Sequence, residues 1–505
     1  MTKNRRSLWW GTLTLTGAAI TSRGLGMVYR VLLARFLGAE GLGLYQMIFP
    51  LFIALVTLSV AGTPVAISQM VADDQVDPLP LLQRARMIVL SITIPVMIII
   101  VFAARPIVLQ LYHDPRFVPL LLILTPALLA IAFSSVLRGF FLGQQMMTVP
   151  SLAQVVEQIV RVIFLVVLLH FAADHLIQNR IAIATALIPI GEGISLLILA
   201  IGFYQWQRPA RTLPETPSRP ASTPAPTVVS HRAILRMSLP IMFSRLLGSL
   251  IGVIEAALIP RQLRRHGFSE IRAVAYFGKV TGMALPLILF PTALTVALST
   301  NLIPAVAKAH ARHDRQAIAG LIQESLSATA YLTVPVTAIL LILGTALDDW
   351  VFHGNLQPTV FIPLTLGAFF LYFDIALAGI LRGLGRTDIP LHNDLISTGA
   401  EVAMILAFAS PEGLAAAIAV GFISSWWLNL RATARLTGIH LPWLKILMKP
   451  GLATVPMVLA VPLWERWASL HHLARSVELT AGLAIAAVIY LMALRLTGVQ
   501  WSRLL

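Results

Sequence analysis

Apolar runs of about the length of a bilayer-spanning helix, separated by short polar breaks, recur along almost the whole chain. The runs 117–137, 181–203 and 479–494 are representative, at or near the roughly 20 residues a helix needs to cross a membrane core. A membrane barrel would instead alternate apolar and polar positions in segments of about 10 residues, a pattern missing here. The periodicity predicts spans near 8–30, 43–71, 87–108, 117–139, 151–172, 181–204, 233–260, 275–304, 320–345, 358–381, 390–410, 412–430, 446–464 and 477–496. The expected fold is therefore an all-α polytopic membrane protein with about 14 transmembrane helices.

The longest polar interruption, 205–232, contains Arg-Pro-Ala-Arg, Pro-Glu-Thr-Pro and Pro-Ala-Ser-Thr-Pro-Ala-Pro. Such composition cannot bury a core and reads as an extended linker. Because it follows the sixth span, the chain divides into a lobe at 1–204, the linker, a second six-helix lobe at 233–432, and two trailing helices at 433–505.

Short motifs recur in the same order in both lobes. Ser22-Arg23-Gly24-Leu25-Gly26 returns as Ser244-Arg245-Leu246-Leu247-Gly248, and Leu137-Arg138-Gly139 returns as Leu381-Arg382-Gly383, with Pro150 and Pro390 following. In the second and eighth spans, Tyr45 with Pro50 resembles Tyr276 with Pro286, and the segment around Pro64 resembles that around Pro304. A parallel duplication is expected, each span sharing the orientation of its copy. The prolines have an ordinary packing role in such helices, and a second role as bending points is open to them.

Composition sharpens the class. The chain is 57% hydrophobic and only 12% charged, with mean hydropathy +0.83, against about 25% charged in an ordinary soluble domain. Cysteine is absent, which excludes disulfides, thiolate chemistry and cysteine-held metals. The formal charge of +15 does not point to nucleic acid, because most Lys and Arg fall in short loops on one side of the membrane. That asymmetry predicts cytoplasmic N- and C-termini. The basic start followed by an apolar stretch reads as the first span and not as a cleaved leader.

Charged residues inside spans are the candidate chemistry, since they are kept in hydrocarbon only where they face protein or water. Arg23 and Arg30 lie seven residues apart, on one face of the first span. Arg245 holds the repeat-equivalent place in the seventh, and Lys279 sits early in the eighth. With Ser22, Ser244 and Gln46 they form an expected cationic, phosphate-binding lining, because guanidinium pairs bidentately with phosphate. Snorkelling to the interface is the competing role for Arg30 and Lys279. Among span acids, Glu157 with Arg161 four residues on reads as a structural ion pair, and Glu192 is a further span acid. Glu255, Asp374 and Glu401 are the ion-coupling candidates. The histidines show no metal spacing, and neither a Walker A loop nor a dinucleotide fingerprint occurs. No cofactor is expected, energy coming from Na+ or H+, the membrane potential or substrate consumption.

Residues 22–67 (SRGLGMVYRVLLARFLGAEGLGLYQMIFPLFIALVTLSVAGTPVAI) and 276–309 (YFGKVTGMALPLILFPTALTVALSTNLIPAVAKA) resemble the stage V sporulation protein B group. That group sits with MurJ-like flippases and multidrug and toxin extruders in the multidrug/oligosaccharidyl-lipid/polysaccharide exporter superfamily. The resemblance implies two lobes that alternate between inward-open and outward-open states. It also implies transport of undecaprenyl-pyrophosphate-linked sugars, such as lipid II, across the bacterial cytoplasmic membrane for peptidoglycan or another polysaccharide. By position, Arg23, Arg30 and Arg245 match the cavity arginines of MurJ-like flippases, Arg30 being displaced by one residue. Those proteins also carry an arginine in the second span, where this chain has only Gln46 and Gln69 as long polar side chains.

Three functions are open at this point. The first is a lipid-linked oligosaccharide flippase without covalent chemistry, and so not an enzyme, acting as a monomer among membrane lipids. An ion-coupled multidrug or cation antiporter would depend on acids and not on arginines. A non-transporting scaffold would recruit cell-wall synthesis enzymes through its loops.

Overall fold

The computed structural model describes residues 2–73, 76–171, 176–212, 230–439 and 441–497, and these are almost entirely helical. The elements are α1 (Thr2–Val60), α2 (Thr63–Val71), α3 (Pro78–Tyr112), α4 (Phe117–Gly143), α5 (Thr148–Phe171), α6 (Ile177–Thr212) and α7 (His231–Arg265). Then come α8 (Glu270–Phe277), a π-helical turn (Gly278–Ala284), α9 (Leu285–Leu289) and α10 (Thr292–Ala311). The rest are α11 (Arg315–Phe352), α12 (Pro358–Gly383), α13 (Asp388–Ala407), α14 (Pro411–Thr437), α15 (Trp443–Leu470) and α16 (Arg475–Leu496). No β-strand occurs among the described residues.

Twelve helical stretches among the described residues are long and apolar enough to cross a membrane. The first of them holds two crossings, because Gly38 (φ 66°, ψ −176°) interrupts α1. Only glycine takes such a backbone conformation without strain. Helix α13 is the fourteenth crossing, less apolar because it carries His392, Asn393, Asp394 and Glu401. The chain is thus an all-α polytopic membrane protein of the expected count.

Boundaries differ from the sequence reading where backbone hydrogen bonding overrides side-chain polarity. The first two spans, expected as 8–30 and 43–71, run as one helical stretch through 31–37 and end at Ala61–Gly62, the start of α2. The eighth span is not one helix; Gly278, Pro286 and Pro291 leave it in four pieces, from α8 to α10. Helix α6 continues to Thr212, eight residues into the expected linker. The remainder of that linker, 213–229, lies outside the described residues.

Contacts group the chain into two units: Met1–Ala257 with Val274–Gly278, and Leu258–Ala273 with Lys279–Leu505. Most of α7 therefore groups with the first unit: Ser249 Oγ lies 3.4 Å from Thr57 Oγ1 on α1. In the first unit an apolar core forms around Phe140, Phe141, Leu199, Val89 and Ile67. In the second, one core gathers Phe373, Leu377, Ile322 and Leu326. The trailing helices α15 and α16 pack onto α11 through Met457, Val461, Leu479 and Leu343.

The duplication is visible as matched close packing inside each unit. At Gly139 an added Cβ would stand 2.8 Å from the Pro64 carbonyl oxygen, and at Gly383 it would stand 2.9 Å from the Ile303 carbonyl oxygen and 2.7 Å from Val306 Cβ. The Leu-Arg-Gly motif of each lobe thus presses its glycine onto the helix that carries the repeat-equivalent proline, as small residues do between membrane helices. Tyr112 likewise donates to the Met47 carbonyl and Tyr372 to the Ile288 carbonyl, each closing its own unit. Replacing Gly139 with alanine is expected to cost about 1–3 kcal/mol by overpacking, read as a lower thermal midpoint in detergent; Gly248→Ala, with open space around it, should leave the midpoint unchanged.

Candidate functional site

Helices α1, α2, α4, α5, α6 and α7 line an open-sided cavity of about 320 Å³ in the first unit, whose polar lining includes Ser134, Ser135, Arg138, Arg161, Glu192 and Arg245. Phe52, Val56, Ile131 and Ile188 supply its apolar wall. Arg161 Nη2 donates to Glu157 Oε1 at 2.8 Å and to Glu192 Oε1 at 3.1 Å, joining α5 to α6. Arg138 Nη2 donates to Ser195 Oγ at 2.8 Å and lies 3.5 Å from Glu157 Oε2. Three guanidinium groups thus face two carboxylates, an excess of one positive charge when both acids are ionised. The Nε of Arg138, the Nε of Arg161 and the hydroxyl of Ser134 are buried without a hydrogen-bond partner among the described residues. Buried donors left unpaired are costly, and these three belong to side chains that line one cavity.

The residues singled out from sequence are distributed more widely. Arg245 lines the cavity, while Ser244 beside it is half-buried. Arg23, Arg30, Ser22 and Gln46 do not line it: Ser22 is buried, Gln46 half-buried, and Arg23 and Arg30 are exposed on α1. Arg30 lies near the Tyr45 hydroxyl. Glu255 is half-buried and makes no ion pair with Arg245. Lys279 belongs to the second unit, within the π-helical turn and near Asp348. The ion pair of Glu157 with Arg161 is present, though it borders the cavity instead of standing apart from it.

Asp374 sits in a second polar cluster, in the core of the second unit. Its Oδ1 accepts from Asn429 Nδ2 at 2.7 Å and its Oδ2 from Ser425 Oγ at 3.1 Å. The Ser425 hydroxyl is also 2.9 Å from Asp394 Oδ1 on α13, and Asn393 Nδ2 donates to Asn429 Oδ1 at 2.8 Å. A hydroxyl has one hydrogen, so it cannot donate to both carboxylates at once. The Ser425 hydrogen therefore serves one of the two acids at a time. Arg382, the repeat copy of Arg138, acts electrostatically on both acids. Glu401 is half-buried and packs against Gly421 of α14. No group of three or more metal-ligating side chains occurs among the described residues.

Residues 8–310 match the family of polysaccharide biosynthesis proteins. The chain belongs to that family. Among curated relatives, stage V sporulation protein B of Bacillus subtilis (strain 168) is 28% identical over 451 residues, covering 85% of this chain and 84% of the relative. The lipid II flippase MurJ of the same organism is 24% identical over 447 residues, covering 82% and 80%. A solved structure of lipid II flippase MurJ in an inward closed conformation superposes with TM-score 0.67 at 16% identity over 95% of this chain and 98% of that one. An inward-facing MATE family multidrug transporter of the MOP superfamily gives TM-score 0.62 at 14% identity over 83% and 94%. The shared fold is that of the MOP superfamily.

Within this polysaccharide biosynthesis family member, the sequence reading overlooked Arg138, Arg161 and Glu192 as partners in one cavity, and Asp394, Asn393, Ser425 and Asn429 as partners of Asp374. A signal existed for Arg138, which stands inside a duplicated motif. Arg161 carried none, because its close pairing with Glu157 hides its role as a cavity wall.

Proposed function

We propose that this chain is a flippase that moves undecaprenyl-pyrophosphate-linked oligosaccharides, lipid II or a related polysaccharide precursor, across the bacterial cytoplasmic membrane by alternating access. The observation that carries it is the convergence of three arginines from three helices, Arg138, Arg161 and Arg245, on the lining of one cavity. A pyrophosphate offers several acceptor oxygens and negative charge, the complement of that set, and charge-assisted bonds to guanidinium are among the strongest available. The family and the flippase-like fold support the same reading. Arg23, Arg30 and Lys279, with Ser22, Ser244 and Gln46, serve as auxiliary polar groups on the substrate's route. No covalent step is involved, so the protein is a transporter and not an enzyme, working as a monomer with both termini in the cytoplasm.

Coupling to Na+ or H+ is assigned to the Asp374 and Asp394 pair, where one hydroxyl hydrogen serves two carboxylates; Glu255 and Glu401 are the secondary candidates. The alternative of a multidrug cation antiporter gains from the same acids but is opposed by an arginine-lined cavity, which repels organic cations. Cell-wall synthesis enzymes are candidate partners that collect the transported precursor.

Purified protein in vesicles carrying fluorescent lipid II tests the reading. Arg245→Ala and Arg138→Ala should each slow flipping about tenfold or more, as expected for losing roughly 1.4 kcal/mol or more of charge-assisted binding, and Arg23→Ala should slow it less. Undiminished flipping by both cavity variants would discard the arginine mechanism. Drug resistance that depends on Asp374 and ignores Arg138 would favour the antiporter.

A further inference from the structure

The first unit holds another cavity, of about 420 Å³, floored by α4 and walled by α3 and α6. It shares no lining residue with the arginine cavity. Its polar groups are Gln83 and Arg86 on α3 and Gln207 on α6, and its apolar depth is formed by Phe133, Leu196 and Ala200. None of the three polar side chains has a hydrogen bond or ion pair among the described residues. Gln83, Arg86 and Ala200 are exposed on a helical surface that crosses a membrane.

The polar groups share one end of the groove. Gln83 and Arg86 lie in the first three turns of α3, and Gln207 lies in the last two turns of α6, which runs antiparallel to α3. Leu196 is eleven residues up α6 from Gln207, about 16 Å deeper at 1.5 Å per residue. The groove is therefore graded, with a cation and two amides near the interface and apolar walls toward the bilayer centre. An arginine without a protein partner at such a place is costly unless it reaches water or an anion. Snorkelling would serve Arg86 alone, but it would leave unexplained why two amides on facing helices meet it over a deep apolar slot.

We propose that this groove binds one anionic phospholipid of the bilayer, its phosphate held by Arg86 and its glycerol and ester oxygens by Gln83 and Gln207, with an acyl chain laid against Phe133, Ala200 and Leu196. Basic pockets between membrane helices hold anionic head groups in this manner, and guanidinium prefers phosphate for its bidentate fit. A zwitterionic head group brings its own ammonium and gains less from Arg86. The inference is independent of what the chain transports, because it concerns a different cavity and a lipid that stays in its leaflet.

The test is retention of lipid by the full-length protein in detergent, read by native mass spectrometry with phosphatidylglycerol and phosphatidylethanolamine of identical acyl chains. Wild type should retain phosphatidylglycerol at least tenfold over phosphatidylethanolamine. Arg86→Ala should erase that preference, and Ala200→Trp, which fills the groove, should lower retention of both lipids. Lipid II flipping should persist in Arg86→Ala, which keeps this test separate from that of the arginine cavity. Equal retention of the two lipids by wild type would overturn the proposal. So would a phosphatidylglycerol preference untouched by Arg86→Ala, or preferential retention of undecaprenyl phosphate over phosphatidylglycerol.

Discussion

Arg161→Ala is expected to destabilise the protein by about 3–5 kcal/mol, the usual result of removing one partner from a buried ion cluster. Arg161 bonds to both Glu157 and Glu192, and its loss leaves Glu192 without that ion pair and Glu157 with only the longer contact to Arg138, in a low-dielectric interior where poorly paired charge is heavily penalised. The drop should appear as a lower unfolding midpoint in detergent and reduced yield from the membrane. Adding Glu157→Gln and Glu192→Gln removes the stranded charges, so the triple variant should recover most of the midpoint. Flipping should not recover with it, because a donor facing the pyrophosphate is still missing. Separation of the two readouts marks Arg161 as a substrate-binding group; joint recovery would reduce it to a structural tie between α5 and α6.

Asn429→Leu should have the second-largest effect. Asn429 is fully buried, donates to Asp374 and accepts from Asn393, so leucine leaves a carboxylate oxygen and an amide without partners. The expected cost is about 2–4 kcal/mol, from unmet buried polar groups of which one is an acid. Asp374→Asn removes a negative charge instead and should be milder in stability. Its signature is linkage: a bound ion raises the midpoint by mass action, about 2.7 kcal/mol at one hundred times its dissociation constant. Wild type should gain stability with rising Na+ or with falling pH according to which ion binds, and Asp374→Asn should lose that response along with gradient-driven transport. A wild-type midpoint insensitive to both ions would remove the coupling role from this cluster.

Much of the fold was legible in the linear pattern. Bilayer-length apolar runs dictated the helix number, and the Ser-Arg-x-Leu-Gly and Leu-Arg-Gly repeats announced a duplication that reappears as Gly139 of α4 packed against α2 and Gly383 of α12 packed against α10. The breaks were less legible. The stretch 31–42, which carries Arg35, Gly38, Glu40 and Gly41, looked like a break between spans, yet a chain in a membrane satisfies its backbone by staying helical until a residue such as Gly38 permits a turn. The eighth span differs the other way: it is apolar enough to read as one helix despite Lys279, but prolines remove amide donors and divide it.

The candidate cavity was half legible. Arg245 stood out because it recurs with its neighbours, and Asp374 because a lone acid in a span demands a partner. Arg138 and Ser195 meet across α4 and α6, more than fifty residues apart, and no spacing rule connects them.

From sequence alone follow the membrane class, the number of crossings, the duplication and the places where charge enters hydrocarbon, since all of these rest on transfer energies that each residue contributes locally. Which charges meet was decided only by the tertiary structure. Lipid-facing helices are apolar on their outer side too, so the rotation of a helix about its axis leaves little trace in its periodicity. Packing between helices sets that rotation, as at Gly139 beside Arg138 and at Gly191 against Arg161, and the tertiary structure brings Arg138, Arg161 and Arg245 to one cavity while leaving Arg23 and Arg30 outside its lining.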